Sequence, residues 1–476
     1  KRKRMSTIIT ENDGCTVLTK GAPEVILDLC RYEHANNSTI ELTEERRLEI
    51  LKEIEGLQKQ SMRVLGFSYR SINEEVAMSA EAGVIENDLV FTGFVGIKDP
   101  LRPEVKEAVH TARTAGVATK MLTGDNINTA IAIGKELGLL QDGLSAVEAT
   151  YIDTLSDEEL QVEIKTIAIV ARSKPDTKMR IVQALQTNGE VVAVTGDGIN
   201  DAPALTKADV GIAMGIAGTE VSKNAADIIL TDDSFGTIVK GIKWGRGIYE
   251  NFQRFIQFQI TVNIVAFLTA ILSLIFDFEM TFTTIQLLWV NIIMDGPPAL
   301  SLGLEPVRNA VLNRQPTNRN ASIITKTMIK SMILNAIYIT AVIMVQMVFN
   351  PLGAEVPPEG FKGPNEMATV LFALFAFNAL FNAFNCREFG TDSIFPYFKD
   401  NNIALKIIGV TAAVQIFITE AFSGFFNAVS LSPVMWLKVI AASSLVIVIN
   451  ELVKSILRIF KKEESVSSSS NENIAA

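Results

Sequence analysis

Thr195-Gly196-Asp197-Gly198-Ile199-Asn200-Asp201-Ala202-Pro203-Ala204-Leu205 directly follows the apolar run 191–194. That run reads as a β-strand, and the glycines then mark a tight phosphate-side loop at its end. Asp197, Asn200 and Asp201 place three oxygen ligands within five residues. Hard donors of this kind suit Mg²⁺, which takes one or two carboxylates, water and a substrate phosphate. An isolated Asp-Gly pair would be only a turn. Eleven consecutive residues of this character after a strand predict a phosphate and metal loop in an α/β fold.

The 476 residues around this loop are 48% hydrophobic, with a mean hydropathy of +0.27, high for a soluble protein. The apolar residues are unevenly spread. Residues 1–250 mix strand-like and helical patterns with frequent charges, whereas 255–460 hold repeated long apolar runs. Cys15, Cys30 and Cys386 lie far apart, which argues against a disulfide framework and suits a reducing compartment. A net charge of −10 gives no electrostatic reason to expect a nucleic-acid partner. The start, Lys1-Arg2-Lys3-Arg4, has neither a Met nor a signal peptide, so the chain reads as part of a longer polypeptide.

Six segments, 255–276, 283–303, 327–349, 367–385, 403–427 and 433–457, are each long enough to cross roughly 30 Å of hydrocarbon. Lys240, Lys243, Arg246 and Arg254 accompany the start of the first. Arg308, Arg314, Arg319, Lys326 and Lys330 gather where the second meets the third, and Arg387, Lys399 and Lys406 where the fourth meets the fifth. Arg458, Lys461 and Lys462 follow the sixth. The opposite loops hold Asp277, Glu279 and a Pro/Gly/Glu stretch with Lys362 as its one basic residue. The positive-inside rule therefore predicts six helices embedded in a lipid bilayer with both chain ends cytoplasmic. The Ser-rich end within 461–476 is expected to be a disordered tail.

Within the polar half, 95–240 alternates strands (89–97, 119–122, 167–171, 191–194, 210–213, 227–230) with helices (103–115, 127–137, 177–186, 220–226). This is the pattern of a parallel, doubly wound sheet, whose site forms at the carboxyl ends of the strands. Four clusters fall there: Asp99-Pro100-Leu101-Arg102, Thr123-Gly124-Asp125, 172–178 and 197–201. Upstream, Thr19-Lys20-Gly21-Ala22-Pro23-Glu24 is a turn and 43–59 a charged helix.

In this order the motifs resemble those of the P-type cation-transporting ATPases. The resemblance implies a partial nucleotide-binding domain over 1–94 and a haloacid-dehalogenase-like (Rossmann-like) phosphorylation domain over 95–240. A stalk with six transmembrane helices follows over 241–460, so the fold class is α/β plus an all-α membrane domain. ATP is expected to meet Lys3, Lys20 and Arg63, together with Arg102, Asp125 and Arg172. Thr123 and Gly124 are expected to bond the phosphoryl oxygens, Lys178 to neutralise the acyl phosphate, and Asp197 to ligate Mg²⁺, with Asn200 and Asp201 completing that environment. The family's nucleophile is the Asp of Asp-Lys-Thr-Gly-Thr, and that motif does not occur in 1–476. The resemblance thus covers the C-terminal half of a pump. The N-terminal half is the expected partner, and this chain alone is not expected to turn over.

Polar groups within membrane segments are costly and therefore suspect as transport ligands. In Trp289-Val290-Asn291-Ile292-Ile293-Met294-Asp295-Gly296-Pro297-Pro298, Asn291 and Asp295 are spaced to share a helical face, and Gly-Pro-Pro disrupts the helix beside them. Oxygen ligands suit Ca²⁺, and no Cys-Pro-Cys motif occurs. The stretch from Gln286 to Pro306 resembles calcium pumps of the bacterial, secretory-pathway and plasma-membrane kinds. Relative to the two-site sarcoplasmic-reticulum pump, one ligand falls on Asn263, but others fall on Ala266, Phe375 and Met294. The expectation is one Ca²⁺ per ATP, bound by Asn263, Asn291, Asp295 and an upstream Glu, with proton counter-transport. A Mn²⁺ or mixed Ca²⁺/Mn²⁺ pump, or a non-catalytic partner of an intact pump, are the alternatives. Glu420 reads as a structural or water-facing group.

Overall fold

The computed structural model describes residues 2–11, 14–35, 37–59, 62–78, 82–97, 101–278, 282–358, 361 and 363–472. Asp99, Pro100, Glu279 and Lys362, named above, lie outside these. The chain divides into two compact units, one of 1–241 with 312–319, the other of 242–311 with 320–476.

The first unit opens with β1 (Arg4–Glu11), β2 (Gly14–Gly21), α1 (Pro23–Leu29), β3 (Cys30–Ala35) and β4 (Ser38–Glu41). There follow α2 (Glu44–Lys59), β5 (Arg63–Ile72), α3 (Glu74–Met78), α4 (Ala82–Ile85) and β6 (Leu89–Ile97). Pro23 starts α1 at a position where its missing N–H costs nothing. The strands form one sheet, β1-β2-β5-β6-β3-β4, and α1 and α2 close one side over Ile26, Leu27, Ile50, Ile54, Val64 and Phe91. Here the sequence reading needs correcting. The run 89–97 is not the first strand of the parallel sheet, because β6 pairs antiparallel with β5 and parallel with β3. Its first residues, Leu89 to Phe91, are buried, and Leu89 and Phe91 belong to this core.

Next come α5 (Pro103–Thr114), β7 (Met121–Leu122), α6 (Ile127–Leu137), β8 (Ser145–Glu148), α7 (Ala149–Thr154), α8 (Asp157–Glu163) and β9 (Ile167–Ala171). α9 (Pro175–Thr187), β10 (Ala193–Gly196), α10 (Ala202–Lys207), β11 (Val210–Met214), α11 (Glu220–Asn224) and β12 (Ile228–Leu230) complete the region. The expected parallel pairing holds, but in two three-stranded sheets, β7-β9-β8 and β10-β11-β12. β7 and β10 are therefore edge strands, and each carries a Thr-Gly-Asp loop at its carboxyl end. β9 is apolar throughout and fully buried, as a central parallel strand must be.

The second unit is helical. α12 (Phe235–Ile275) begins in the first unit and runs for 41 residues, about 60 Å at 1.5 Å per residue. α13 (Thr284–Trp289), α14 (Gly296–Leu302), α15 (Lys326–Phe349), α16 (Glu366–Asn385), α17 (Asn402–Ala421) and α18 (Pro433–Glu472) follow. Among the described residues, five helices are long and apolar enough to cross a membrane: α12, α15, α16, α17 and α18. The sixth expected span, 283–303, is not one continuous helix. It breaks into α13, a π-helical turn over Val290–Met294, and α14, because Pro297 and Pro298 have no N–H with which to continue the upstream hydrogen-bond ladder. α16 is buried along nearly its whole length and forms the centre of this unit. α18 is helical to Glu472, and residues 473–476 lie outside the described residues.

Candidate functional site

β10 delivers Thr195, Gly196 and Asp197 into a short 3-10 turn over Ile199–Asp201. Asp201 is the hub of this loop. One carboxylate oxygen accepts from the amides of Asp197 (3.2 Å) and Gly198 (3.1 Å), and the other from Lys178 Nζ on α9 (2.6 Å). Burial opposes ionisation of Asp201, but the Lys178 hydrogen bond, the two amides and the Lys178 charge together hold its carboxyl below the usual range. A carboxylate so engaged anchors the loop. The side chains of Asp197 and Asn200 are exposed at the loop surface. Only glycine fits at 196, because a Cβ there would lie 2.4 Å from the Cβ of Asp201. On the far side, the Asp197 carbonyl accepts from the Thr219 amide (2.9 Å) and Ser222 Oγ (3.0 Å).

The β7 loop is stitched to the end of β9. Thr123 N donates to Val170 O (3.0 Å), Ser173 N to Thr123 O (2.9 Å) and Arg172 N to Asp125 O (3.0 Å). Arg172 adopts a left-handed backbone conformation, φ 52°, to make this turn. Thr123 Oγ1 accepts from the Asp125 amide (3.1 Å), and Gly124 has nothing near the position of a Cβ. Thr123, Gly124, Asp125 and Arg172 are thus brought together as expected, with Arg172 exposed and 3.7 Å from Glu148.

Lys3, Lys20 and Arg63 share one end of the first sheet. Lys20, next to last in β2, lies opposite Phe67 and Met5, Arg63 starts β5 opposite Ile97, and Lys3 accepts the Ala22 amide through its carbonyl (3.0 Å). Residues opposite one another, or two apart along a strand, share a face; Lys20 and Arg63 therefore project from the same side, and both are exposed. Arg102 does not join them. Its guanidinium donates to the carbonyl of Asp233 (2.7 Å), whose carboxylate caps the amides of Gly215, Ile216 and Ala217. Sequence reading missed this anchor because only the fold brings 102 and 233 together.

In the helical unit, Asp295 is fully buried and both its carboxylate oxygens lack a hydrogen-bond partner. Its amide closes the π turn on Val290 O (2.8 Å). Asn291 and Asn263 are exposed, so the structure does not bring the three expected cation ligands into one buried cluster. Among the described residues no group of three His, Cys, Asp or Glu side chains could hold a metal. Glu420 is structural, accepting from the Leu431 amide (3.0 Å) and the Trp436 indole (2.8 Å).

Three family models match this chain: cytoplasmic domain N of P-type ATPases over 1–104, haloacid dehalogenase-like hydrolase over 171–242, and the cation-transporting ATPase C-terminus over 279–456. Among curated proteins, plasma-membrane-type calcium-transporting ATPase 4 of Arabidopsis thaliana is 40% identical over 460 residues, 96% of this chain and 44% of that protein. Calcium-transporting ATPases 2 and 9 of the same plant are 39% and 37% identical, over 92% of this chain in each case and 43% and 41% of their own lengths. The chain therefore spans a little under half the length of these relatives. With the two Thr-Gly-Asp loops, the Lys178–Asp201 pair and the apolar helices in place, the chain belongs to the cation-transporting P-type ATPases.

Proposed function

We propose that this chain forms the C-terminal half of an ATP-driven pump that exports Ca²⁺ from the cytosol across the plasma membrane. The observation that carries the reading is Asp295, a fully buried carboxylate with two unpartnered oxygens beside a break in an apolar helix. A buried charge without a partner is costly, and a transported divalent cation supplies the missing one. That the similar plant proteins are calcium-transporting ATPases supports calcium as that cation. One Ca²⁺ moves per ATP with proton counter-transport, and the first unit and both chain ends face the cytoplasm.

ATP lies against Lys3, Lys20 and Arg63, and its γ-phosphate reaches the loops at the ends of β7 and β10. The acceptor Asp comes from an upstream strand seated on the open edges of β7 and β10. Thr123 and the Gly124 amide orient the phosphoryl oxygens, Lys178 offsets their charge while holding Asp201, and Asp201 fixes the loop that presents Asp197. The free, exposed carboxylate of Asp197 and the amide oxygen of Asn200 fit Mg²⁺, which would supply charge neutralisation on the transferring group.

The test is ATP-driven Ca²⁺ uptake into sealed vesicles by the full-length pump that contains this chain, with and without Asp295→Asn and with excess Mn²⁺ as competitor. Uptake that resists Mn²⁺ and vanishes in the variant supports the reading. No uptake, or uptake abolished by modest Mn²⁺, moves the substrate to manganese or another cation.

A further inference from the structure

α14 has an unusual mechanical problem. It is only seven residues long, and the π turn and Gly296 interrupt its continuity with α13. The position of Asp295 at its head therefore depends on how its other end is held. That end is gripped by side chains from three elements. Asn401, at the start of α17, donates to Ser301 O (3.1 Å) and to Glu305 Oε1 (3.1 Å). Asn251 on α12 donates to the carbonyls of Gly303 and Glu305, each at 3.0 Å. Arg387, just after α16, donates through Nε to Glu305 Oε1 (2.6 Å) and through Nη2 to Oε2 (3.4 Å). The Arg387 and Glu305 side chains are only 3% and 2% exposed.

Arg387 is itself fixed on every side. Its Nη1 and Nη2 donate to the carbonyls of Phe398 (3.0 Å) and Tyr397 (3.2 Å), and its own carbonyl accepts from Arg254 Nε on α12 (2.8 Å). Arg254 also bonds Asn251 Oδ1, so the grip on Gly303 and the grip on Glu305 form one network. The last carbonyls of a helix leave its own ladder; here Ser301 O takes Asn401 as well as the Leu304 amide, and the carbonyls just beyond, of Gly303 and Glu305, are taken by Asn251. We propose that Arg387, acting through Glu305, is a positioning residue for the cation site at Asp295, the network serving as the anchor that sets where α14 begins. This rests on the reading of Asp295 as the transport ligand.

The experiment measures Ca²⁺ uptake and ATPase rate against free Ca²⁺ in the full-length pump, comparing Arg387→Met, Arg387→Lys, the pair Arg387→Met with Glu305→Gln, and Arg308→Met. Arg308 pairs with Glu388 (2.6 Å) and stacks on the Tyr397 ring, but donates nothing to α14. For Arg387→Met the expected result is a rise of at least fivefold in the Ca²⁺ concentration for half-maximal uptake, with KM for ATP unchanged. The double variant, which leaves neither member of the pair as an unpaired buried charge, is expected to fold and to retain the shift, and Arg308→Met to leave Ca²⁺ affinity within twofold. If Arg387→Met fails to fold, the double variant decides. Unchanged Ca²⁺ affinity in the Arg387 variants, or an equal shift in Arg308→Met, overturns the inference. Absence of Ca²⁺ uptake by the unaltered pump overturns the functional reading instead.

Discussion

Lys178 and Asp201 meet at 2.6 Å across the end of the parallel strands, and through this contact one ammonium governs the loop that holds Asp197 and Asn200. Replacing Lys178 by Met removes both a positive charge beside the proposed phosphate site and the anchor of that loop. Phosphoenzyme formation from ATP in the full-length pump is expected to fall by at least ~10²-fold, the scale for losing one preorganised electrostatic donor. A rate within tenfold of the unaltered pump would remove Lys178 from the site.

The same contact has a pH signature. Desolvation raises the Asp201 pKa, but its hydrogen bonds and the Lys178 charge outweigh this and leave it below 3.8. Asp209 is also lowered, chiefly by the Val192 amide, with further help from Gln186 and Arg319. The unfolded chain takes up these protons first as pH falls. Their stabilisation is therefore complete above about 3.8 and is lost as pH drops through the lower folded-state values. Calorimetry between pH 6 and 3 is expected to show the first unit weakening on the acid side, and less steeply in Asp209→Asn.

Gly196→Ala places a methyl group 2.4 Å from the Asp201 Cβ. The hub must shift, and a loss of about 1–3 kcal/mol is expected from overpacking at a site that cannot yield. Chemical denaturation of the first unit reads the loss, and ATP-dependent phosphorylation falls with it.

Arg102 provides the opposite outcome. Its guanidinium is committed to the Asp233 carbonyl, so Arg102→Met is expected to leave the KM for ATP within twofold while lowering stability by about 1 kcal/mol. A KM raised tenfold would return Arg102 to the nucleotide.

Glu420→Gln keeps an acceptor for the Leu431 amide and the Trp436 indole. Ca²⁺ affinity is expected to stay within twofold, whereas Glu420→Ala strands two donors and costs about 1–3 kcal/mol. A large affinity change in the Gln variant would make Glu420 a cation ligand.

What could be read from the sequence follows the range of the forces involved. The loops at 123–125 and 195–201 were legible because glycine, carboxylate and strand end are neighbours in the chain. The membrane helices were legible because apolar length is a local property, except at 283–303, where the Gly-Pro-Pro break was visible but the π turn was not. The place of 89–97 was misread because the pairing partners of a strand are not written in it. The Arg387–Glu305 contact, between residues 82 positions apart, has no local signal beyond two charges close to apolar runs. Asn291 was placed with Asp295 by spacing alone, and spacing does not tell which neighbours cover a face.

The π turn stores one residue more than an ordinary helical turn would. It accommodates Val290–Met294 in a widened turn whose closing bond spans five residues, from the Asp295 amide to Val290 O. Were the same residues wound as an ordinary α-helical turn instead, one residue would be left over, and each residue of such a helix advances by about 100°. Asp295 and all of α14 would then rotate by about that angle, carrying the carboxylate away from its buried direction while every side chain in the site remained intact. The acceptor taken by one backbone amide, Val290 O for Asp295, therefore sets the direction in which the carboxylate points.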